Sequence, residues 1–182
     1  IRRPQLIRQA AQRFGSSTVV VSIEAIRRKE GGWEAYTDNG RDRTGRDAVE
    51  WASEAAELGA GELLVTSVDR EGTGRGYDLE LTRAIASTVS IPVVSSGGAG
   101  EPKHVEEVLA AGAAAAAIAS LLHYEAVPKL TLERSEFAPE LNLAHLESGA
   151  QRERVASLAD VKEHLNCRGF TSRPLELGAE YA

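Results

Sequence analysis

In the stretch SIPVVSSGGAGEP, residues 90–102, two glycines follow two serines at the point where a short apolar run ends. Glycines there let backbone N–H groups close on an anion with no Cβ in the way, and a serine hydroxyl adds a donor. Pro102 suits the start of a helix, whose N-terminal dipole favours negative charge. Ser96, Gly97 and Gly98 are therefore candidate phosphate ligands, with a tight turn as the competing explanation for the glycines. Ala119 and Ser120, closing the run AAAAIAS, place small donors at the next equivalent position, and the pairing favours phosphate. Glu24 ends another apolar run, and Glu71 lies in the turn VDREGTG. Carboxylates at the same rim could trade protons with a bound substrate as general base and acid. A solvated loop charge is the alternative, stronger for Glu71 than for Glu24.

These residues need elements to position them. PQLIRQAAQRF, residues 4–14, has helical spacing, and STVVVSIEAI, residues 17–26, is a strand whose continuous apolar centre suits burial on both faces. Residues 27–46 are charged and glycine-rich, with a short alternating piece at Trp33 to Thr37; a connection of that length is mobile or functional. DAVEWASEAAEL then predicts a helix over 47–58, capped by Asp47 with Glu50 three residues on. Strand GELLVTSVD, helix DLELTRAIASTV, strand PVVSS, a helix from Pro102 and strand AAAAIAS complete the series.

ELGAGELLVTS and LAAGAAAAAIAS repeat one pattern, with Gly59 and Gly112 matching at a separation of 53 residues. A recurring helix, Gly-Ala, strand unit predicts a parallel α/β fold: one helix and then four βα units, with antiparallel pairing the weaker alternative. In such folds, loops at the carboxyl ends of strands carry function, and the barrel form often binds phosphate after its last two strands. One domain is expected over 1–182. Its core units cover 1–124, an insertion 125–154, a final helix 155–170, with Ser157 and Asp160 as a capping pair, and a frayed tail 171–182.

The net charge of −6 argues against general nucleic-acid binding. The single cysteine, Cys167, excludes an internal disulfide framework and leans toward a reducing, cytoplasmic setting. No apolar run approaches a membrane span, and the basic start lacks a signal-peptide core. Methionine is absent, position 1 included, as expected of a processed or excised piece of a longer chain. The histidines, His104, His123, His145 and His164, lack short ligand spacing, so no metal is expected. GTGRGY fails as a dinucleotide fingerprint because its third glycine would fall on Tyr77. Trp33 and Tyr36 are expected to pack their own loop.

In this order, VVVSIEA, WEAYTDNGRDRTG, DAVEWASEAAELGAGELLVTSVDREGTGRGYDLEL and IPVVSSGGAG resemble the cyclase subunit of imidazole glycerol phosphate synthase. The resemblance spans about residues 1–124 and resumes near 157. It implies a TIM (βα)8 barrel of histidine biosynthesis, of which this chain matches the second half only. It implies a lyase that uses ammonia from a partner glutaminase, and no cofactor. The substrate would be a phosphoribulosyl-formimino aminoimidazole carboxamide ribotide, cyclised to imidazole glycerol phosphate with release of an aminoimidazole carboxamide ribotide. The family's first-strand catalytic aspartate and its other phosphate site have no counterpart here. Glu24 matches the fifth-strand catalytic aspartate and Glu71 the aspartate of a DGT turn, each lengthened by one methylene. The resemblance further implies Asn39 and Gly40 in a loop over the substrate, Thr66, Glu71 and Gly72 lining the site, and Gly97, Gly98, Ala119 and Ser120 on one phosphate.

Four parallel strands leave open edges on the first and last, so a half-barrel is expected to pair with a second copy or with a missing N-terminal half. Activity alone is expected to be weak or absent. The alternatives are a non-catalytic phosphate-binding scaffold and a related phosphosugar isomerase; the WEAYTDNGR loop and DREGTG turn favour the cyclase.

Overall fold

A computed structural model describes residues 1–126 and 156–173. Helix α1, Gln5–Phe14, ends where the N–H of Gly15 bonds Ala11 O at 2.9 Å. Strand β1, Val20–Arg27, leads into β2, Trp33–Thr37, and β3, Asp42–Asp47. Helix α2, Ala48–Glu57, starts where the Asp47 carboxylate accepts from the N–H groups of Val49 and Glu50. Next come β4, Glu62–Ser67, α3, Leu79–Ala86, β5, Val93–Ser96, and α4, Pro102–Ala110. Strand β6 is only Ala115–Ala116, and α5, Ser120–Ala126, follows it. Helix α6, Leu158–Cys167, opens with the expected capping box between Ser157 and Asp160. The expected insertion, apart from residues 125 and 126, and positions 174–182 of the tail lie outside the described residues.

The sheet runs β3-β2-β1-β4-β5-β6. β1, β4, β5 and β6 are mutually parallel, and β4, β5 and β6 are each followed directly by a helix, whereas β1 reaches α2 only through β2 and β3. Gly59 and Gly112 share a left-handed φ of 106° and 108°, so the two copies of the repeat turn from helix to strand in the same way. The fold is α/β with a parallel-rich sheet, consistent with a TIM-barrel-like architecture. Among the described residues, no helix is long and apolar enough to cross a membrane.

The helices cover one face of the sheet. Ile23, Ala25, Leu63, Val65 and Val93 point from the strands into a core completed by Trp51, Ala52 and Ala55 of α2 and by Leu81 and Ile85 of α3. A second cluster joins Val105 and Val108 of α4 to Leu121 of α5 and to Val161 and Leu165 of α6. The apolar run of β1 is thus buried on one side only, against the expectation of burial on both. Its alternate residues, Ser22, Glu24 and Ile26, face away from the helices, where nothing in the described chain covers them fully.

The connection 27–46 departs most from expectation. It is an antiparallel hairpin, with β2 laid on β1 from Glu24 opposite Tyr36 to Arg27 opposite Trp33. Turn chemistry explains it: Asp38, Asn39 and Gly40 all take positive φ, a run that Asp, Asn and Gly tolerate best. The buried Glu34 carboxylate fixes the pair, accepting from Arg43 Nη2 at 2.7 Å and from the N–H of Gly45 at 2.8 Å. The open edge expected on the first strand is therefore covered along its carboxyl half. Its amino half, from Val20 to Ile23, has no strand neighbour on that side among the described residues. Beside it, α1 buries no residue, and Leu6, Phe14 and Val20 remain 55%, 65% and 54% exposed.

Candidate functional site

Strand pairing sets the first part of the site. Glu24 stands opposite Thr66 in the β1–β4 ladder, and Thr66 opposite Ser96 in the β4–β5 ladder. Side chains at matched positions of parallel neighbours share a face, and neighbouring strands lie about 4.8 Å apart. Tyr36, Glu24, Thr66 and Ser96 therefore form one row across four strands, on the face turned away from the helices. Period-two alternation in β2 reveals Tyr36 as a member of this row, which its expected role as loop packing overlooks.

Glu24 is half-buried, and its Oε2 accepts the N–H of Gly40 at 2.8 Å. The hairpin tip thus returns over the row. Asn39 stands exposed at that tip, one residue from the contact. A Cβ added at Gly40 would lie 2.9 Å from Val68 Cγ1, so the close approach and the φ of 77° both need glycine.

The base of the hairpin is anchored separately. The Arg27 guanidinium stacks on the Trp33 ring, 4.7 Å from its centroid, and donates to Asp78 Oδ1 at 3.1 Å. Trp33 Nε1 donates to Asp78 Oδ2 at 3.0 Å, while Asp78 caps α3 through the N–H of Leu81. Trp33 therefore packs on Arg27 within its own loop, and it also reaches beyond that loop to Asp78. The N–H of Arg27 also donates to Asp69 Oδ2 at 2.8 Å, which assigns Asp69 to holding the end of β1.

The second part of the site is a recess at the carboxyl ends of β5 and β6. Glu71, Ser96, Gly97, Gly98, Ala119 and Ser120 line it, together with Ala99, Ala117 and Ile118. Its volume of ≈ 80 Å³ has room for a small anion or several waters. Gly97 and Gly98 have φ of 91° and 110°. A Cβ on Gly97 would stand 2.6 Å from Ser67 O, one on Gly98 2.2 Å from Gly76 O, and one on Gly100 2.1 Å from Gly74 O. The two glycine-rich loops are interlocked, and the N–H of Gly76 bonds Gly98 O at 2.8 Å. Packing thus contributes to the need for glycine at SGGAG, alongside any ligand. Gly72, also at positive φ, lies in the partner loop but not in the wall of the recess.

Among the described residues, the N–H groups of Gly97 and Gly98 and the hydroxyls of Ser96 and Ser120 find no acceptor. Donors that meet no protein acceptor at a concave surface suit water or a bound anion. Carbonyls nearby are occupied: Ala117 O accepts from the Tyr77 hydroxyl at 2.9 Å, and Gly98 O from Gly76. Burial, and then the Glu71 carboxylate, push the Tyr77 phenol well above its ordinary value, so it stays a neutral donor. Tyr77 escapes a motif reading because its partner is forty residues away. Ser67 Oγ is buried with no hydrogen-bond partner among the described residues, but Ser67 belongs to the helix-facing set of β4 and does not line the recess.

The remaining candidates fall elsewhere. His104 Nδ1 accepts from the N–H of Gly100 at 3.1 Å, and His164 pairs with Glu106 at 2.7 Å, bracing α4 against α6. His145 is outside the described residues, and Cys167 is exposed at the end of α6. Among the described residues, no group of three or more His, Cys, Asp or Glu side chains gathers as metal ligands would.

Comparison with known proteins supplies the remaining evidence. The family model described as histidine biosynthesis protein matches residues 1–128. The chain is 43% identical over 179 residues to the imidazole glycerol phosphate synthase subunit HisF of Synechococcus sp. (strain CC9605), covering 96% of this chain and 59% of that protein. It is 55% identical over 124 residues to the subunit of the same name from Symbiobacterium thermophilum, covering 68% of this chain and 49% of that protein. The chain therefore spans roughly half to three-fifths of the length of these relatives.

Proposed function

The chain belongs to the histidine biosynthesis protein family, and on that footing we propose that it is the phosphosugar-binding second half of a cyclase barrel. In this reading it contributes Glu24 and one phosphate grip to ammonia-dependent formation of imidazole glycerol phosphate. The observation that carries it is the set of donors at Gly97, Gly98, Ser96 and Ser120 that meet no acceptor among the described residues, opening on the same rim as the Glu24 row. Phosphate would be held by those amides and hydroxyls, while Glu24 and Glu71 exchange protons with the reacting portion of the substrate. Thr66 lies between Glu24 and Ser96 in the row, and Asn39, Gly40 and Gly72 belong to the loops that would border the bound sugar.

A bisphosphate substrate needs a second grip. We assign it to another half, either a second copy of this chain or an N-terminal half of the kind that the resemblance to the cyclase barrel implies. Among the described residues, the amino half of β1 has no strand beside it and Leu6, Phe14 and Val20 are exposed, an apolar margin that supports such a partner. A glutaminase subunit would supply ammonia to the completed barrel.

The test is ammonia-dependent turnover of the phosphoribulosyl-formimino substrate, by this chain alone and with a purified N-terminal half of a relative. Product in either assembly supports the cyclase. Phosphate-ester binding without turnover in both favours the second reading, a non-catalytic phosphate-binding scaffold. Light scattering at micromolar concentration reads the partner question directly, and a monomer without exposed apolar surface would contradict self-association.

A further inference from the structure

One buried carboxylate outside the recess joins three elements of the fold. Asp78 is 6% exposed and stands at the N-terminus of α3, where its Oδ1 accepts the N–H of Leu81 at 3.0 Å. Oδ1 also takes Arg27 Nη2 at 3.1 Å, from the last residue of β1. Oδ2 takes Trp33 Nε1 at 3.0 Å, from the first residue of β2. Helix capping accounts for the first of these bonds and for neither of the others. Arg27 divides its guanidinium between Asp78 and the exposed Glu80, whereas the indole N–H of Trp33 has no other acceptor among the described residues.

One short ladder separates that carboxylate from Glu24. β2 pairs with β1 from Glu24 opposite Tyr36 to Arg27 opposite Trp33, so Trp33 stands at one end of the pairing and Glu24 at the other. Past the Glu24 end the hairpin tip returns, and the N–H of Gly40 donates to Glu24 Oε2. Among the described residues that is the one hydrogen bond to the Glu24 carboxylate, and it leaves Oε1 as the oxygen free to face a reactant. A group that exchanges protons must be held in place, because a displacement of about 1 Å can cost about a hundredfold in rate.

We propose that Asp78 is a positioning residue: through Trp33 it holds β2 so that the Gly40 N–H stays on Glu24 Oε2, and thereby fixes the oxygen that Glu24 presents. Its part in turnover rests on the reading of Glu24 as the proton-exchanging group. Asp78 itself touches no reacting atom. It acts by keeping the hairpin seated.

Trp33→Phe tests this in the full chain, because it keeps a ring over Arg27 and removes the N–H given to Asp78. Asp78→Ser is the second variant, retaining a cap for Leu81 while losing the reach to Trp33. Amide exchange followed by NMR should show protection at Gly40 falling at least about tenfold in both, with Ile85 of α3 changed less than about twofold. Unchanged protection at Gly40 in both variants overturns the proposal. Turnover in the completed barrel separates positioning from bare structural support. There Trp33→Phe should lower kcat roughly tenfold with KM within about twofold, and in a Glu24→Gln background it should cost less than about twofold more. An equal loss in the two backgrounds overturns action through Glu24. If no assembly turns over, the cyclase reading fails, and loss of Gly40 protection with Ile85 intact still supports the hold of Asp78 on the hairpin.

Discussion

The N–H of Gly40 donates to Glu24 Oε2 at 2.8 Å, so the loop that leaves β1 comes back to the carboxylate that β1 carries. The tip of the hairpin and the acidic end of the strand are one unit. A change at either should be felt at the other.

Gly40→Ala tests that unit. The new methyl would press on Val68, and the backbone would keep a positive φ that alanine resists, so a loss of about 1–3 kcal/mol is expected in urea denaturation. Adding Val68→Ala should recover the steric part and leave the conformational part, giving a partial rescue.

Glu24→Gln keeps the shape and the contact with Gly40 while removing the proton acceptor. On the proposed reading, turnover in the completed barrel should fall roughly 100-fold or more, with glycerol 3-phosphate affinity changed less than about twofold. Equal loss of both would assign Glu24 to ligand binding instead.

Gly98→Ala would drive a methyl into Gly76 O and oppose a φ of 110°. The loops cannot separate without breaking the bond between Gly76 and Gly98, so a cost of about 2–5 kcal/mol is expected. Thermal unfolding followed by circular dichroism should show it, whether or not phosphate is present.

Asp78→Ala removes the helix cap of α3 and the acceptor shared by Arg27 and Trp33. A loss of about 2–4 kcal/mol is expected, discounted for the partial exposure of Arg27. Trp33 fluorescence should report release of the hairpin base at lower denaturant than global unfolding.

Acid should loosen the hairpin through Glu34. Its hydrogen bonds from Arg43, then that from the N–H of Gly45, hold its carboxyl below the ordinary glutamate value. A depressed acid contributes its stabilisation fully above the unfolded value, near pH 4, and loses it as pH falls through the folded value. Amide-exchange protection over residues 34–45, taken relative to the intrinsic rate at each pH, should fall below about pH 4 in the unmodified protein, and Glu34→Gln should flatten that dependence.

Sequence alone determined the order of the main helices and of the parallel strands, because the signals that set it are local. Pro102 opens a helix, Asp47 and Ser157 cap helices within three residues of themselves, and Gly59 and Gly112 end helices by a conformation that only their own backbone needs. The resemblance carried by SSGGAG and DREGTG located the rim on the same basis, since those motifs are short and contiguous.

Tertiary structure decided what distance in sequence conceals. Hydrophobicity of Val19 to Val21 could not say that helices would cover only one side of β1, because burial depends on which neighbours arrive. The antiparallel hairpin needed the partnership of Glu34 with Arg43 to become a pair of strands rather than a loose loop. Most consequentially, Glu71 and Gly97 are 26 residues apart in the chain, yet interlocking of their loops sets a carboxylate beside amides that meet no acceptor among the described residues. That juxtaposition is a property of packed backbones, and it gives the recess a chemistry that neither motif contains by itself.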